Sequence, residues 1–464
     1  MRAEKPSRRE FLRLAALTAT SAALVACTPP APAPAEPTPA QAQETAPAEP
    51  TTPPEAPTEA PPEAAAKAEL TLWGWWDLRM AIYEQTAKKF MEANPDVTIK
   101  VETLPGTDEL QQKVYSAVAA GTGPNMLKMS EFFFKMRDQD LLVEWPEDVF
   151  PSSWFTEMYP NVNWDAYGHY VVPTGSCGTL LVYNKKMFEE VGLDPSKPPA
   201  TWDDFDVAAQ KLALKDGSGS ITRCGFVPAG EWPGLSQCYQ QGGNIVKKEG
   251  DKQVATFDSA EMLTALQHLI DDQVHKLSSW DAAFPDNLES IGTGLAAMTE
   301  DQSWVLGEYR GSYADVYPDL AYAPNPTPSG KPDPVYGYKS TVLDVSVLKG
   351  NDAAYAATFQ FMSYMLKDAG QDTYRALCEL ISCAPERVDL FDDATLAAVP
   401  GMSVVTQVLP KQRDPVQPPE ELYPVWENVM HQIAVENKAV AEAAAYGQEE
   451  LQKILDQGLA KNLT

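Results

Sequence analysis

Acids and flat aromatic rings recur side by side in this chain: Trp76-Asp77, Glu131-Phe132, Glu231-Trp232, and Glu300-Asp301 with Trp304 three residues on. The first group stands in LTLWGWWDLR, residues 70–79, where Trp73, Trp75 and Trp76 surround one glycine. A core needs apolar bulk, and Leu or Val supplies it without an indole N–H to satisfy. An indole is flat, rigid and large, so it covers the C–H face of a saturated ring at low entropic cost. A carboxylate accepts from two hydroxyls through charge-assisted hydrogen bonds, which are the stronger kind. Indoles beside acids therefore suit a polyhydroxylated ring. Packing is the competing explanation for each residue. Trp75 alternates away from Trp76 and is expected in the core, and Trp202 is expected to pack at a helix start. Trp145, Trp154 and Trp164 lie in a loop-rich stretch and read as structural.

Other chemistries find less support. A glycoside hydrolase needs two carboxylates about 5–10 Å apart, which an acid-rich sequence does not exclude. No Gly-x-Ser-x-Gly elbow appears; Thr174-Gly175-Ser176-Cys177-Gly178 comes nearest and fits a hinge better. His268 and His275, seven apart, read as a solvated helix face. With no Cys-x-x-Cys and four histidines in all, no metal site and no cofactor is expected.

The start of the chain is an address. Ser7-Arg8-Arg9-Glu10-Phe11-Leu12-Arg13 precedes a short apolar run ending in Leu24-Val25-Ala26-Cys27. A basic start, an apolar segment and small residues before a cut site make a signal peptide over 1–26. The paired arginines resemble a twin-arginine export signal, and Leu-Val-Ala-Cys resembles a bacterial lipobox in which Cys27 takes the lipid. Thr28 to Lys67 hold 13 of the 40 prolines and no aromatic residue, so 27–67 read as an extended spacer without a core.

About 397 residues follow, enough for two or three domains, and 44% of the chain is apolar. Formal charge is −29; removing residues 1–26, with five basic and two acidic side chains, gives −29 − 3 = −32. Such acidity argues against nucleic acid and anionic lipid surfaces as partners, and more weakly against strongly anionic ligands. Five cysteines remain besides Cys27: Cys177, Cys224, Cys238, Cys378 and Cys383. Cys224 with Cys238 and Cys378 with Cys383 are nearest in sequence, connectivity stays open, and one thiol, Cys177 for instance, is left over.

The periodicity predicts a strand over Glu69–Trp73, a helix near Met80–Ala93, a strand over Val97–Val101, a helix over Leu110–Ala120 and a strand over Met126–Met129. That is the βαβ pattern of a mostly parallel open sheet. Further strands are expected at Gly168–Pro173, Leu180–Tyr183 and Gly294–Thr299, with Thr174-Gly175-Ser176 between the first two. Helices are expected from Thr201, over Phe257–Val274, Ala353–Leu366 and Gln371–Leu380, and from Glu420 to about Leu459.

In order along the chain, LTLWGWW with KKFMEANPDVTIKV, GTGPNML, YVVPTGSCGTLLVYNKKMFEEVGL, TWDDF, QQGGNIV, GLAAMTEDQSW and YPVWENV resemble the extracellular solute-binding proteins of ABC importers, in the branch that includes maltose-binding protein. The resemblance covers roughly Ala68 to Thr464. Asn125 stands where that family usually has Asp, which touches only a local turn or cap.

The resemblance implies an α/β, two-lobe periplasmic-binding fold with open, mostly parallel sheets flanked by helices. Residues 68–174 and 331–382 would form one lobe, 175–330 and 383–464 the other, with the ligand in the cleft between them. It places sugar contacts near Glu231-Trp232 and Trp426. The expected ligand-binding residues are Trp73, Trp76, Asp77, Glu131, Ser176, Glu231, Trp232, Asp301, Trp304, Tyr338 and Trp426. The expected partners are a small carbohydrate, mono- or oligosaccharide, and the transmembrane subunits of an ABC permease, with membrane contact through the lipid anchor only and no nucleic acid. A polyamine or another non-sugar solute in the same fold is the alternative, and a cell-surface glycan hydrolase the rival of another class.

Overall fold

The structure is a computed structural model that describes residues 67–130, 132–230, 232–250, 252–329, 334–413 and 421–457. The chain divides into Met1–Glu63 and a compact unit, Ala64–Thr464, to which every described residue belongs. The export signal, Cys27, the spacer, Glu131 and Glu231 lie outside the described residues, as does the side chain of Trp232.

The elements that position the site run in chain order as follows. β1 is Ala68–Trp75, α1 Asp77–Ala93, β2 Val97–Leu104, α2 Thr107–Ala119, β3 Met126–Lys128 and α3 Phe133–Asp138. β4 is Pro173–Asn184, α4 Trp202–Leu212, α5 Trp232–Gln240 and α6 Ala260–Leu266. β5 is Met298–Gln302, α7 Val305–Ser312, β6 Leu320–Ala323, β7 Lys339–Leu343 and β8 Val345–Val347. α8 is Tyr355–Ser363, α9 Gly370–Ile381, β9 Ala384–Pro385, α10 Leu422–Ala434 and α11 Val440–Asp456.

Two apolar cores result. In the first lobe, β1 pairs in parallel with β2 and β3, and β8 closes the sheet antiparallel to β3, giving the order β8-β3-β1-β2. Asn125 accepts the Thr71 N–H at 2.9 Å and so ties the entry of β3 to β1. Leu70 and Leu72 point into a core with Tyr83, Phe90, Met126, Val345, Phe361 and Leu377. The second lobe gathers Leu180, Val182, Phe205, Phe226, Leu235, Met298 and Val429. Trp145, Trp154 and Trp164 form an aromatic nest with Phe150, Phe155 and Tyr159, matching a structural role.

β4 joins the two cores. All twelve of its residues are buried; Cys177 sits in the first core and Leu180 to Tyr183 in the second. Its first half pairs antiparallel with β7 and β9, its second half with β5 and β6. Thr174-Gly175-Ser176 is therefore strand, not the break expected between two strands. A Cβ on Gly175 would meet Ala384 O at 2.4 Å and Cys383 Sγ at 2.5 Å, so this glycine permits the close approach of a second crossing segment. The glycine here supplies space.

Other boundaries moved for local reasons. The helix expected over Phe257–Val274 is α6 followed by a π-helical stretch, Gln267–Lys276. His268 in that stretch is buried, not solvated: its ring stacks on Trp202 at 4.5 Å and 11°, between Gln237 Oε1 at 2.7 Å and Asp206 Oδ1 at 3.0 Å. Trp202 does pack at the start of α4. The strand expected over Gly294–Thr299 is Met298–Gln302, and the long terminal helix is two helices, α10 and α11. Cys177, Cys224, Cys238, Cys378 and Cys383 are all buried free thiols. Among the described residues no helix is long and apolar enough to cross a membrane.

Candidate functional site

The end of β1 carries the first half of the site. Gly74 lets α1 close over the strand, since a Cβ there would stand 2.4 Å from Met80 Sδ. Trp76 then turns the chain at φ 73° and ψ 100°, a conformation that a bulky L-residue adopts only under strain. The turn breaks the strand's alternation. Trp75, expected to point away, instead lies beside Trp76, with ring centroids 6.3 Å apart and planes 26° from parallel. Both rings are half-buried, and Asp77 opens α1 exposed at its positive end.

Arg79, one turn into α1, was not singled out from sequence. Its guanidinium carbon lies 4.9 Å from the Trp76 centroid and 5.8 Å from that of Trp75, and the residue is 5% exposed. The signal was the i, i+3 spacing from Trp76 across a strand-to-helix turn, which only the turn geometry converts into a stacked pair with a cation over it.

Five expected contacts are occupied inside the fold. Trp73 is core: it packs with Leu127, Met129 and Phe132, and the Lys113 ammonium, paired with Glu102, covers its ring at 4.1 Å. Trp426 is 1% exposed beneath the first turn of α5, where a Cβ on Gly234 would meet its ring at 1.9 Å, and it lies beside Phe257 at 5.8 Å. Its ring seats the helix. Tyr338 is buried, its hydroxyl accepting from Gln302 Nε2 at 3.1 Å and its ring edge-on to Tyr239 at 5.9 Å. Ser176 donates to Glu386 Oε1 at 2.5 Å between crossing segments. Asp301 accepts from Asn287 Nδ2 and from the Gln302 N–H, both at 2.6 Å, and burial pushes its carboxyl up to about 7.

The alternation of β5 explains that last difference. Glu300 and Gln302 share the face opposite Asp301. Gln302 accepts from Ser340 Oγ at 2.5 Å on β7, whose residues Lys339 to Val342 stay half-exposed. Glu300 is 1% exposed and burial pushes it up to about 8; the Gln237 amide beside it offsets part of that rise. Among the described residues neither of its oxygens has a partner at hydrogen-bond geometry. Trp304, half-buried, caps α7 and packs against the cores of both lobes. Of the expected and newly found residues, Trp75, Trp76, Asp77, Trp304 and the half-exposed part of β7 keep exposed surface, with Arg79 buried behind the indole pair.

Contacts across the lobes hold this arrangement. Lys135 of α3 pairs with Glu421 at 2.9 Å. Arg310 of α7 donates to Glu379 O at 2.7 Å at the end of α9, and a Cβ on Gly307 would stand 1.8 Å from Leu380 O. A separate hollow of about 890 Å³ on the first lobe, between Phe90, Tyr355, Phe359 and Tyr364, holds none of the expected residues.

Two α/β lobes joined by crossing strands, with aromatic and charged groups at a strand's carboxyl end, define a two-lobed binding protein. The chain belongs to the bacterial extracellular solute-binding proteins, whose family model matches residues 75–372. It is similar to an arabinooligosaccharide-binding protein of Halalkalibacterium halodurans, 25% identical over 54% of this chain and 57% of that one. It is also similar to the sn-glycerol-3-phosphate-binding periplasmic protein of Escherichia coli K12, 26% identical over 49% and 54%. The matched stretch thus spans little more than half the length of these two relatives. Among solved structures, the Thermotoga lettingae solute-binding protein bound with α-D-tagatose matches with a TM-score of 0.67 at 20% identity, over 84% of this chain and 100% of that one. The maltose/maltodextrin-binding domain from Bdellovibrio bacteriovorus bound to maltotriose gives 0.68 at 17%, over the same shares. The family and these neighbours are binding proteins.

Proposed function

We propose that this chain captures a carbohydrate between its lobes and presents it to the transmembrane subunits of an ABC permease, without cleaving it. The observation that carries the reading is the stacked Trp75–Trp76 pair, held half-buried at the carboxyl end of β1 by a strained turn. Strain in a folded protein persists where the surroundings enforce it, and it clusters at ligand clamps. The sugars named for an oligosaccharide-binding relative and two structural neighbours support the ligand class.

Trp76, Asp77 and Trp304 would act with Glu131, Glu231 and Trp232, and Trp75 joins the expected set. A guanidinium over the indole pair repels a cation, so the polyamine alternative is disfavoured. The lobes would divide at 68–174 with 331–382, and 175–330 with 383–464; Leu390 and Leu396 pack in the first core and draw that segment toward the first lobe. A lipid on Cys27, after export by the twin-arginine signal, would tether the protein outside the cytoplasmic membrane, with residues 27–67 as the spacer.

Calorimetric and thermal-shift titration against mono- and oligosaccharides, polyamines and amino acids tests the reading. A sugar at a hundred times its Kd stabilises the fold by about 2.7 kcal/mol. Labelled oligosaccharide should be recovered intact. A response confined to amino acids or polyamines ends the carbohydrate reading, and cleavage ends the carrier reading.

A further inference from the structure

We propose that Arg79 anchors an oxyanion, so that the guest is a polyhydroxylated molecule bearing a carboxylate or a phosphate ester. This rests on the reading above that a small polyhydroxylated guest binds at the Trp75–Trp76 pair, and narrows its chemistry. Arg79 is 5% exposed and lies within electrostatic reach of the buried Asp344, yet among the described residues its guanidinium donates to no acceptor at hydrogen-bond distance; it lies over the rings of Trp75 and Trp76. A buried guanidinium whose N–H groups are not hydrogen-bonded is costly, and a ligand that accepts from them recovers that cost.

Lys113 pairs with Glu102 and Lys135 with Glu421 at salt-bridge distance, whereas Arg79 and Lys128 both lie only within electrostatic reach of Asp344. Arg79 also lies within electrostatic reach of Cys177 and Cys383. It therefore stands between the carboxyl end of β1 and the segments that cross between lobes, where open α/β sheets receive their ligands.

One feature fits an anion more closely than a hydroxyl. A guanidinium is a planar fork whose N–H edge matches the bidentate geometry that carboxylates and phosphates accept, and a desolvated one gains most from a charged acceptor. The chain's charge of −29 opposes anions at long range, so Arg79 must overcome that repulsion at short range.

Titration calorimetry on the mature chain separates the possibilities. The probes are galacturonate, glucuronate and mannuronate oligomers, each beside its neutral methyl ester, with glycerol 3-phosphate and maltotriose as further arms. At least one uronate should bind about thirtyfold or more tighter than its ester. Its affinity should fall with added salt. Arg79→Gln should bring the acid-to-ester ratio close to one, and Arg79→Lys, which keeps the charge and loses the fork, should restore part of it. Binding of glycerol 3-phosphate alone, lost in Arg79→Gln, assigns the oxyanion to phosphate and ends the carbohydrate reading while keeping this one. Maltotriose or the esters binding as tightly as the acids, or an unchanged ratio in Arg79→Gln, overturns the inference and leaves the carbohydrate reading standing. No binding by any probe overturns both. Should Arg79→Gln fail to fold by circular dichroism, the acid-to-ester ratio of the unaltered chain decides.

Discussion

At Trp76 a single backbone angle sets the geometry on which ligand binding is proposed to depend. A bulky residue at φ 73° carries roughly 1–3 kcal/mol of strain. Replacing it by glycine or by alanine removes the same ring, so the difference between the two variants reports the backbone alone. Trp76→Gly should melt higher than Trp76→Ala by the equivalent of about 1 kcal/mol, and both should bind sugar about tenfold or more weakly than the parent. Equal melting temperatures would show the turn to be relaxed. Glu300 makes the second residue-scale case. Burial raises its carboxyl to about 8 in the folded chain, against about 4.5 when unfolded. The folded state then holds a proton that the unfolded state has released, so stability is fully present below about 4.5 and declines as pH rises toward 8. Denaturant melts between pH 4.5 and 8 should show a loss of up to a few kcal/mol, and Glu300→Gln should flatten that slope. A parent curve as flat as the variant's would rule out a buried, proton-holding Glu300.

Elements were legible in sequence where one face is buried and one is wet. Leu70 and Leu72 in β1, and Phe90 in α1, followed their periods into the core. The exceptions share a cause. β4 is buried along its whole length, so it has no alternation to read, and Thr174-Gly175-Ser176 reads as a break between two strands. The π-helical stretch after α6 shifts its faces, so His268 points inward to Trp202. The aromatic-acid groups of the candidate site stand at the ends of β1 and β5, where the sequence placed them. Which ring faces outward depended on the turn at Trp76 and on the packing of α5 over Trp426, neither of which leaves a spacing signal. Close contact between elements of different lobes is likewise invisible in sequence. α7 meets α9 at Gly307, where a Cβ would stand 1.8 Å from Leu380 O. Gly307→Ala should therefore destabilise by about 1–3 kcal/mol, read as a lower Tm, because backbone on both sides must shift. A variant with unchanged Tm would mean that the helix pair slides freely.

For the molecule as a whole, the Lys135–Glu421 contact between lobes is individually weak. Lys135 and Glu421 each keep about 30% side-chain exposure, and ion pairs of that kind contribute about 0–1 kcal/mol. The pair matters because it joins the two lobes directly, so its energy enters the equilibrium between open and closed forms. Glu421→Gln should raise the Kd for a neutral sugar by at most about fivefold, while its melting temperature stays within a degree or so of the parent's. Small-angle scattering without ligand should show a larger radius of gyration for the variant, and the two proteins should converge when sugar is saturating. High salt should produce the same expansion in the parent and none in Glu421→Gln, since screening removes the same attraction that the substitution does. Identical scattering from both proteins at low salt would mean that closure is set by the α7–α9 seam and the crossing strands alone.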